Sequence, residues 1–337
     1  MHEGFRPCDA SSFHRCVWSH WCDARGNDDQ RLWSLSRCSG CGLVRLTEIP
    51  DLEVAYPEEY YGSGERKFLP VIEAISHVRP ALMTTAIRRC AAVARREDRQ
   101  PRVLDVGCGR GYLLRDLALK GWSCAGIDIP GSPLPIDAVK LGLDCRTGDA
   151  CSLPWPNDSF DLVVINHVLE HVRDPLAACL EANRVLREHG LLYVGVPNYG
   201  SFQRRLFGSH WFPLELPRHI YHFTATSLGL LLRRSGFIPR RWSTRSFRQG
   251  VFGWIQSALN VVDRTKPNRL LDVIKGETSA ANARSLAHLA LASCLAPFGL
   301  LEVCLASMFR SGSVLAVVCD KRCAIRRNGD EQSQGLG

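Results

Sequence analysis

Four short apolar runs mark the middle of this chain: "RVLDVG" (102–107), "CAGIDI" (124–129), "FDLVVINHV" (160–168) and "GLLYVGVP" (190–197). A strand with one wet face alternates apolar and polar residues. A strand that does not alternate is buried on both faces. Such runs, spaced by helix-length segments, predict a doubly wound α/β fold with helices on both sides of a parallel sheet. The helix after the third run has clear signals. Asp174 is placed to cap it, and Pro175 sits at its first position, where no N–H is needed. Leu176, Cys179, Leu180 and Leu186 share one arc, and Gly190 is expected to end the helix. A helix over 224–235, with Thr224 as cap, and a strand at "GFIPRRWS" (236–243) follow.

The expected organisation has six parts. Residues 1–50 are a Cys-containing segment. Residues 51–98 are a helical linker or cap, with Pro80 as a kink. Residues 99–246 form the core, 247–310 a helical insertion, 311–321 the last core strand and 322–337 a frayed tail.

Composition removes several classes. Of 337 residues, 45% are hydrophobic and 23% charged, which excludes wholesale disorder. The net charge of +8 comes from 42 basic against 34 acidic residues. The arginines are scattered, so no nucleic-acid partner is expected. Fifteen cysteines without a signal-like opening fit a reducing cytoplasm with buried thiols. Ser285–Leu301 is the longest stretch free of Asp, Glu, Lys and Arg. It is short for a spanning helix. We read it as a buried or interfacial helix, with peripheral membrane contact through 285–309.

Chemistry gathers at the ends of the runs. "VLDVGCGRGYLL" (103–114) sets glycines at 107, 109 and 111 between strand and helix. Without Cβ atoms the backbone turns sharply and approaches a ligand closely, beside free helix N–H groups. A dinucleotide site prefers G-x-G-x-x-G, so the third glycine comes one residue early. Asp105, just before the turn, would repel a pyrophosphate and suits a ligand with a cationic end. Asp128 ends the second run, where an acid accepts both ribose hydroxyls. Asp149 falls at the end of the next strand. Three carboxylates on successive strand ends describe a pocket for a nucleoside with a positive tail.

These residues resemble the class I S-adenosylmethionine-dependent methyltransferases, small-molecule branch, over roughly 100–245 and the last strand. "LDVGCGRG", "GIDI" and "GDACSLPWPNDSFDLV" look like that family's first three motifs. The resemblance implies a seven-stranded, mostly parallel Rossmann-like sheet with its last strand antiparallel, and S-adenosylmethionine as cofactor. Asp105, Gly107, Cys108, Gly109 and Gly111 would lie on the methionine side. Asp128 and Ile129 would meet the ribose, Asp149 and Ala150 the adenine, and Asn166 and His167 the sulfonium. The three prolines in "IPGSPLPIDAVKLG", after Asp128, depart from the family's regular helix.

"HVLEH" (167–171) matches the H-x-x-E-H pattern of a zinc peptidase class. It straddles a strand end, which cannot set both histidines on neighbouring turns of one helix. Quinone-pathway relatives bind a divalent ion through E-x-x-E-H here, but His167 replaces the first acid. For a hydroxyl acceptor a base is needed, and the candidates are His219, His167 and His222. Tyr199, Arg218 and Trp211 are expected along the acceptor side.

"RCSGCGLV" (37–44) is a C-x-x-C knuckle, half of a zinc site. Similar ribbons occur on some sugar-pathway methyltransferases. Cys38, Cys41, Cys8 and Cys22 are the expected zinc ligands, with Cys16, His14 or His20 as substitutes. The expected activity is methyl transfer to a small-molecule or glycan-precursor acceptor, through oxygen. Two alternatives stand: a sugar C-methyltransferase with N-terminal zinc, or a non-catalytic S-adenosylmethionine-binding protein. A nicotinamide oxidoreductase is a third.

Overall fold

The computed structural model describes residues 13–16, 33–49, 80–132, 135, 137–265, 267–275 and 278–322. Its main sheet contains β4 (Arg102–Val106), β5 (Ser123–Asp128), β6 (Asp144–Thr147), β7 (Phe160–Asn166), β8 (Leu186–Pro197), β10 (Phe237–Ser243) and β11 (Val314–Lys321). Their order is β10-β11-β8-β7-β4-β5-β6. β4 to β8 are mutually parallel, and β11 lies antiparallel to both β8 and β10. The expected fold class is therefore observed. The order reverses at β4, which lies between β5 and β7. In open α/β sheets, ligands bind beyond the carboxyl ends of the strands at such a switch point.

The helices are α1 (Ala81–Arg96), α2 (Tyr112–Ala118), α3 (Pro175–Val185), α4 (Phe202–Phe207), α5 (Ala225–Arg234), α6 (Phe247–Val262), α7 (Arg269–Lys275) and α8 (Ala283–Met308). Asp174 caps α3, its Oδ1 accepting from the N–H groups of Leu176 and Ala177. Thr224 and Ser227 form a reciprocal capping box on α5.

Two local expectations are corrected. α3 ends at Val185, and Leu186 opens β8 opposite Phe160. Leu186 is buried by strand pairing, and Leu180 faces solvent. The true inward face carries Ala178, Cys179, Ala182 and Val185. Pro80 caps the start of α1 with an extended ψ of 137°, so it precedes that helix instead of bending it, and a proline's missing N–H is harmless there.

A second sheet, β1-β2-β3-β9, joins β1 (Phe13–Cys16), β2 (Leu35–Cys38) and β3 (Val44–Leu46) to β9 (Tyr221–His222). The pairs Val44–His222 and Arg45–Tyr221 tie the N-terminal segment to the core. Trp33, Leu35, Val44 and Leu46 are buried in the same apolar cluster as β7 and β8. Burying four large apolar side chains there is worth roughly 1.5–3 kcal/mol each, so this segment is an integral wall of the protein.

Candidate functional site

Gly107, Gly109 and Gly111 all have left-handed backbones, with φ of +75°, +49° and +69°. The turn needs glycine for space as well. A Cβ at Gly107 would sit 2.2 Å from Val168 Cγ2, and one at Gly111 would sit 2.4 Å from Pro135 Cγ. At Gly109 a Cβ would meet only Asp128 Oδ2, at 4.0 Å, so this side of the turn is open. The Gly109 N–H donates to Asp128 Oδ2 at 2.6 Å, and the Ile129 N–H donates to Oδ1 at 2.8 Å. These two bonds hold the carboxylate at the end of β5 against the glycine turn. Of the prolines after Asp128, Pro135 covers Gly111.

Asp105 is buried in β4. Burial first, then nearby Asp128 and Cys145, push its carboxyl up to about 8. A buried acid in that state is relieved by a cation. Asp128 stands opposite Thr147 in the β5–β6 register, and Asp149 follows two residues later. Asp149 is exposed, with Oδ1 accepting from the Cys151 N–H at 2.9 Å. Ala150 packs against the core. Cys108 lines the turn only by its backbone, since its side chain is buried against Gly126.

Asn166 ends β7 opposite Gly195, where a Cβ would approach Asn166 Oδ1 to 2.3 Å. His167 follows with φ +57°, outside the strand. Its Nδ1 lies 3.2 Å from Glu170 Oε1, and its Nε2 lies 2.6 Å from the Gln249 amide nitrogen. Gln249 Oε1 accepts from Ser246, which leaves its NH2 to donate to His167. His167 is thereby set with its proton on Nδ1, facing Glu170. Glu170 is buried. Burial opposes its charge, but His167, His171 and His219 outweigh that and hold its carboxyl below the usual range.

The acceptor-side histidines are enclosed. His219 is buried, its Nδ1 2.8 Å from the Pro213 carbonyl and its Nε2 3.4 Å from Glu215. His222 is buried beside Tyr199, and burial, then His219 and Arg204, drive it well below its ordinary value. His171 contacts His219 ring to ring at 4.6 Å and is lowered to about 4, chiefly by burial. Trp211 is fully buried, at 6.3 Å from Tyr199. Arg218 bonds Glu215, and Arg204 bonds the Tyr199 hydroxyl at 2.7 Å.

Glu170, His171 and His219 bring one ligand atom each within 4.8 Å of one another, and Glu170 Oε2 is buried with no hydrogen-bond partner. His167 and His171 do not pair as on one helix. Their segment is a strand end and turn, as the pattern's position implied. At the knuckle, Cys38 and Cys41 are buried and the Cys41 N–H points at Cys38 Sγ, 3.5 Å away. Cys8, Cys22 and His20 lie outside the described residues, as do the side chains of His14 and Cys16. Sequence reasoning missed Gln249 and Glu215. Neither carries a local motif, and Gln249 reaches His167 across 82 positions. A cluster of Arg99, Asp161 and Arg187 sits at the opposite, amino-terminal strand edge and ties β4 to β7 and β8.

A family profile described as "Methyltransferase domain" matches residues 75–239. A ubiquinone biosynthesis O-methyltransferase from Cereibacter sphaeroides (strain KD131 / KCTC 12085) is 30% identical over 47% of this chain and 68% of its own length. The enzyme of that name from Dinoroseobacter shibae is 30% identical over 58% of this chain and 84% of its own. The chain is a class I S-adenosylmethionine-dependent methyltransferase. Further matches of the same name from Cereibacter sphaeroides span 60% of the relative and 41% of the methyltransferase described here. A solved structure of a putative sarcosine dimethylglycine methyltransferase from Galdieria sulphuraria overlaps 76% of this methyltransferase and 91% of that chain, at 15% identity and a TM-score of 0.43. The residues present fit the cofactor. The turn is open at Gly109, Asp128 offers carboxylate oxygens at its rim, and buried Asp105 calls for a cation.

Proposed function

We propose that this enzyme methylates a hydroxyl of a small-molecule acceptor, with His167 as general base. The observation that carries the reading is the Glu170–His167–Gln249 chain at the end of β7, beside the glycine turn. When bound, S-adenosylmethionine supplies an electrophilic methyl on a sulfonium. Asp128 would accept from its ribose, Asp105 would face its cationic end, and the glycine turn would position it. Glu170 keeps the His167 proton on Nδ1, so that Nε2 is free to take a proton once a hydroxyl replaces the Gln249 amide. His219 and His222, favoured by position in the sequence, are less suited: His219 faces an acceptor oxygen at both ring nitrogens, whereas His167 Nε2 faces a donor, and burial makes His222 a weak base. They and Tyr199 wall the acceptor side.

The oxygen assignment draws on the names of the relatives, and glycan precursors stay among the acceptors to be tried. The reduced thiols Cys90, Cys124 and Cys179, pushed up to about 12 chiefly by burial, support a reducing cytoplasm. His167→Ala should lower kcat on a panel of phenolic and sugar hydroxyls by about 10²–10⁴-fold while cofactor affinity stays within a factor of a few. Retained kcat in that variant removes His167 as base.

We further propose that Cys38 and Cys41 would hold a zinc ion in the N-terminal segment. Elemental mass spectrometry should find one zinc per chain that is lost in the C38S/C41S variant. A metal-free protein of unchanged stability would dismiss it.

A further inference from the structure

α8 is apolar on both its faces, the one packed on the protein and the one turned to solvent. Ala287, Leu291, Cys294, Phe298, Leu301, Leu305 and Met308 recur at helical spacing on one arc of about 100°. In a soluble helix such a stripe faces the core. Here it faces outward: Phe298 is 60% exposed, Leu301 58% and Met308 73%. The inward face carries Ser285, Gly299, Glu302, Val303 and Ala306, with Leu289 and Leu295 packed against Ile255, Leu259 and Leu270. Only 28% of the helix's most apolar stretch is buried. The patch continues past the helix. The Phe202 N–H donates to the Ser311 carbonyl, which brings α4, with exposed Phe202 and Leu206, beside the end of α8 and exposed Phe309. A contiguous apolar surface of this extent marks a binding face.

Charge identifies what it meets. Across 199–214, 240–262 and 283–319 the sole acid is Glu302, which is buried against Gln203. Arg205, Arg245, Arg248, Arg284 and Arg310 are all exposed around the patch. A second copy would bring the same cations against these; an anionic lipid surface neutralises them. The helix, about 39 Å long, lies along the protein. Gly299 meets Val251 and Trp254, and Gly250 is closed by Val303. It therefore lies in the interface and does not span it.

We infer that the outward face of α8, with α4, docks this methyltransferase on an anionic lipid bilayer. α4 also carries Arg204, bonded to Tyr199. If the proposed acceptor side is right, docking sets it at the bilayer surface; the docking itself does not depend on that reading.

The full-length protein should co-sediment with phosphatidylglycerol–phosphatidylcholine vesicles at least about tenfold better than with phosphatidylcholine alone, and less as salt is raised. L301D/L305D should abolish binding to both. R205Q/R248Q/R310Q should erase the preference for anionic vesicles. Both variants should keep wild-type cofactor affinity and melting temperature, which separates docking from misfolding. A wild type that stays in the supernatant overturns the inference. So does a dimer in sedimentation velocity that L301D/L305D dissociates.

Discussion

The two halves of the site are held by interactions of different reach. On the cofactor side, Asp105, the glycine turn and Asp128 belong to one strand–turn–helix–strand unit, closed by the bonds of Gly107 N–H to the Ile127 carbonyl and of Gly109 N–H to Asp128, the latter across 19 residues. On the acceptor side, His171 meets Arg218 across 47 residues, His167 meets Gln249 across 82, and Val44 pairs with His222. The first is a backbone device, sensitive to single atoms but local. The second is a tertiary assembly, which depends on how the N-terminal segment and the 247–310 helices pack. Damage to one should therefore leave the other's signature intact.

The sharpest break is Gly107→Ala. A left-handed alanine costs about 1–2 kcal/mol, and its Cβ would stand 2.2 Å from Val168 Cγ2. Overpacking adds about 1–3 kcal/mol. Calorimetric titration should show cofactor binding lost. Adding Val168→Ala should restore part of it, because only the clash is relieved. Full binding by the single variant would mean that the turn is not a fixed device.

Leu46→Ala tests the other half. Leu46 is 1% exposed and shares the core cluster of β7 and β8. Its truncation should cost about 2–5 kcal/mol and lower the single melting transition of the whole protein, with cofactor affinity in the surviving fold nearly unchanged. Two separate transitions, with the catalytic one unmoved, would show that the N-terminal segment is an independent domain.

The difference in reach also explains what could be read in advance. The apolar runs and the capped helices were legible, and the three acids could be placed at or near strand ends, because each signal lies within a few residues of what it positions. β6 was legible only through Asp149, since its "DCRT" is a half-exposed edge strand with no apolar run. The end of α3 was misjudged because Leu186 satisfies helix periodicity, and strand pairing with Phe160 overrides it. Gln249 and Glu215 had no signal, because their partners are fixed by tertiary packing. α8 shows the reverse limit: the sequence marks an uncharged stretch over Ser285–Leu301, but lack of charge cannot say which side is inward.

A pH-graded effect bears on the cofactor side alone. Asp105 titrates at its ordinary value of 3.8 when unfolded and at about 8 in the folded protein without ligand. Between those limits the folded state holds a proton that the unfolded state has released. The folded state binds more protons, so stability falls as pH rises from about 4 to about 8, by up to about 1.4 kcal/mol per pH unit, and levels off above. Asparagine has no proton to lose. Asp105→Asn should thus remove the slope and melt above the wild type at pH 8, while matching it near pH 4. The same change would remove the charge proposed to face the cofactor's cation and should weaken binding by about 10–100-fold, the worth of one charge-assisted bond. Urea titrations across pH, with and without the cofactor, measure both. A stability gain without loss of affinity would mean that Asp105 strains the core without serving the ligand, and the acid at β4 would drop out of the cofactor side.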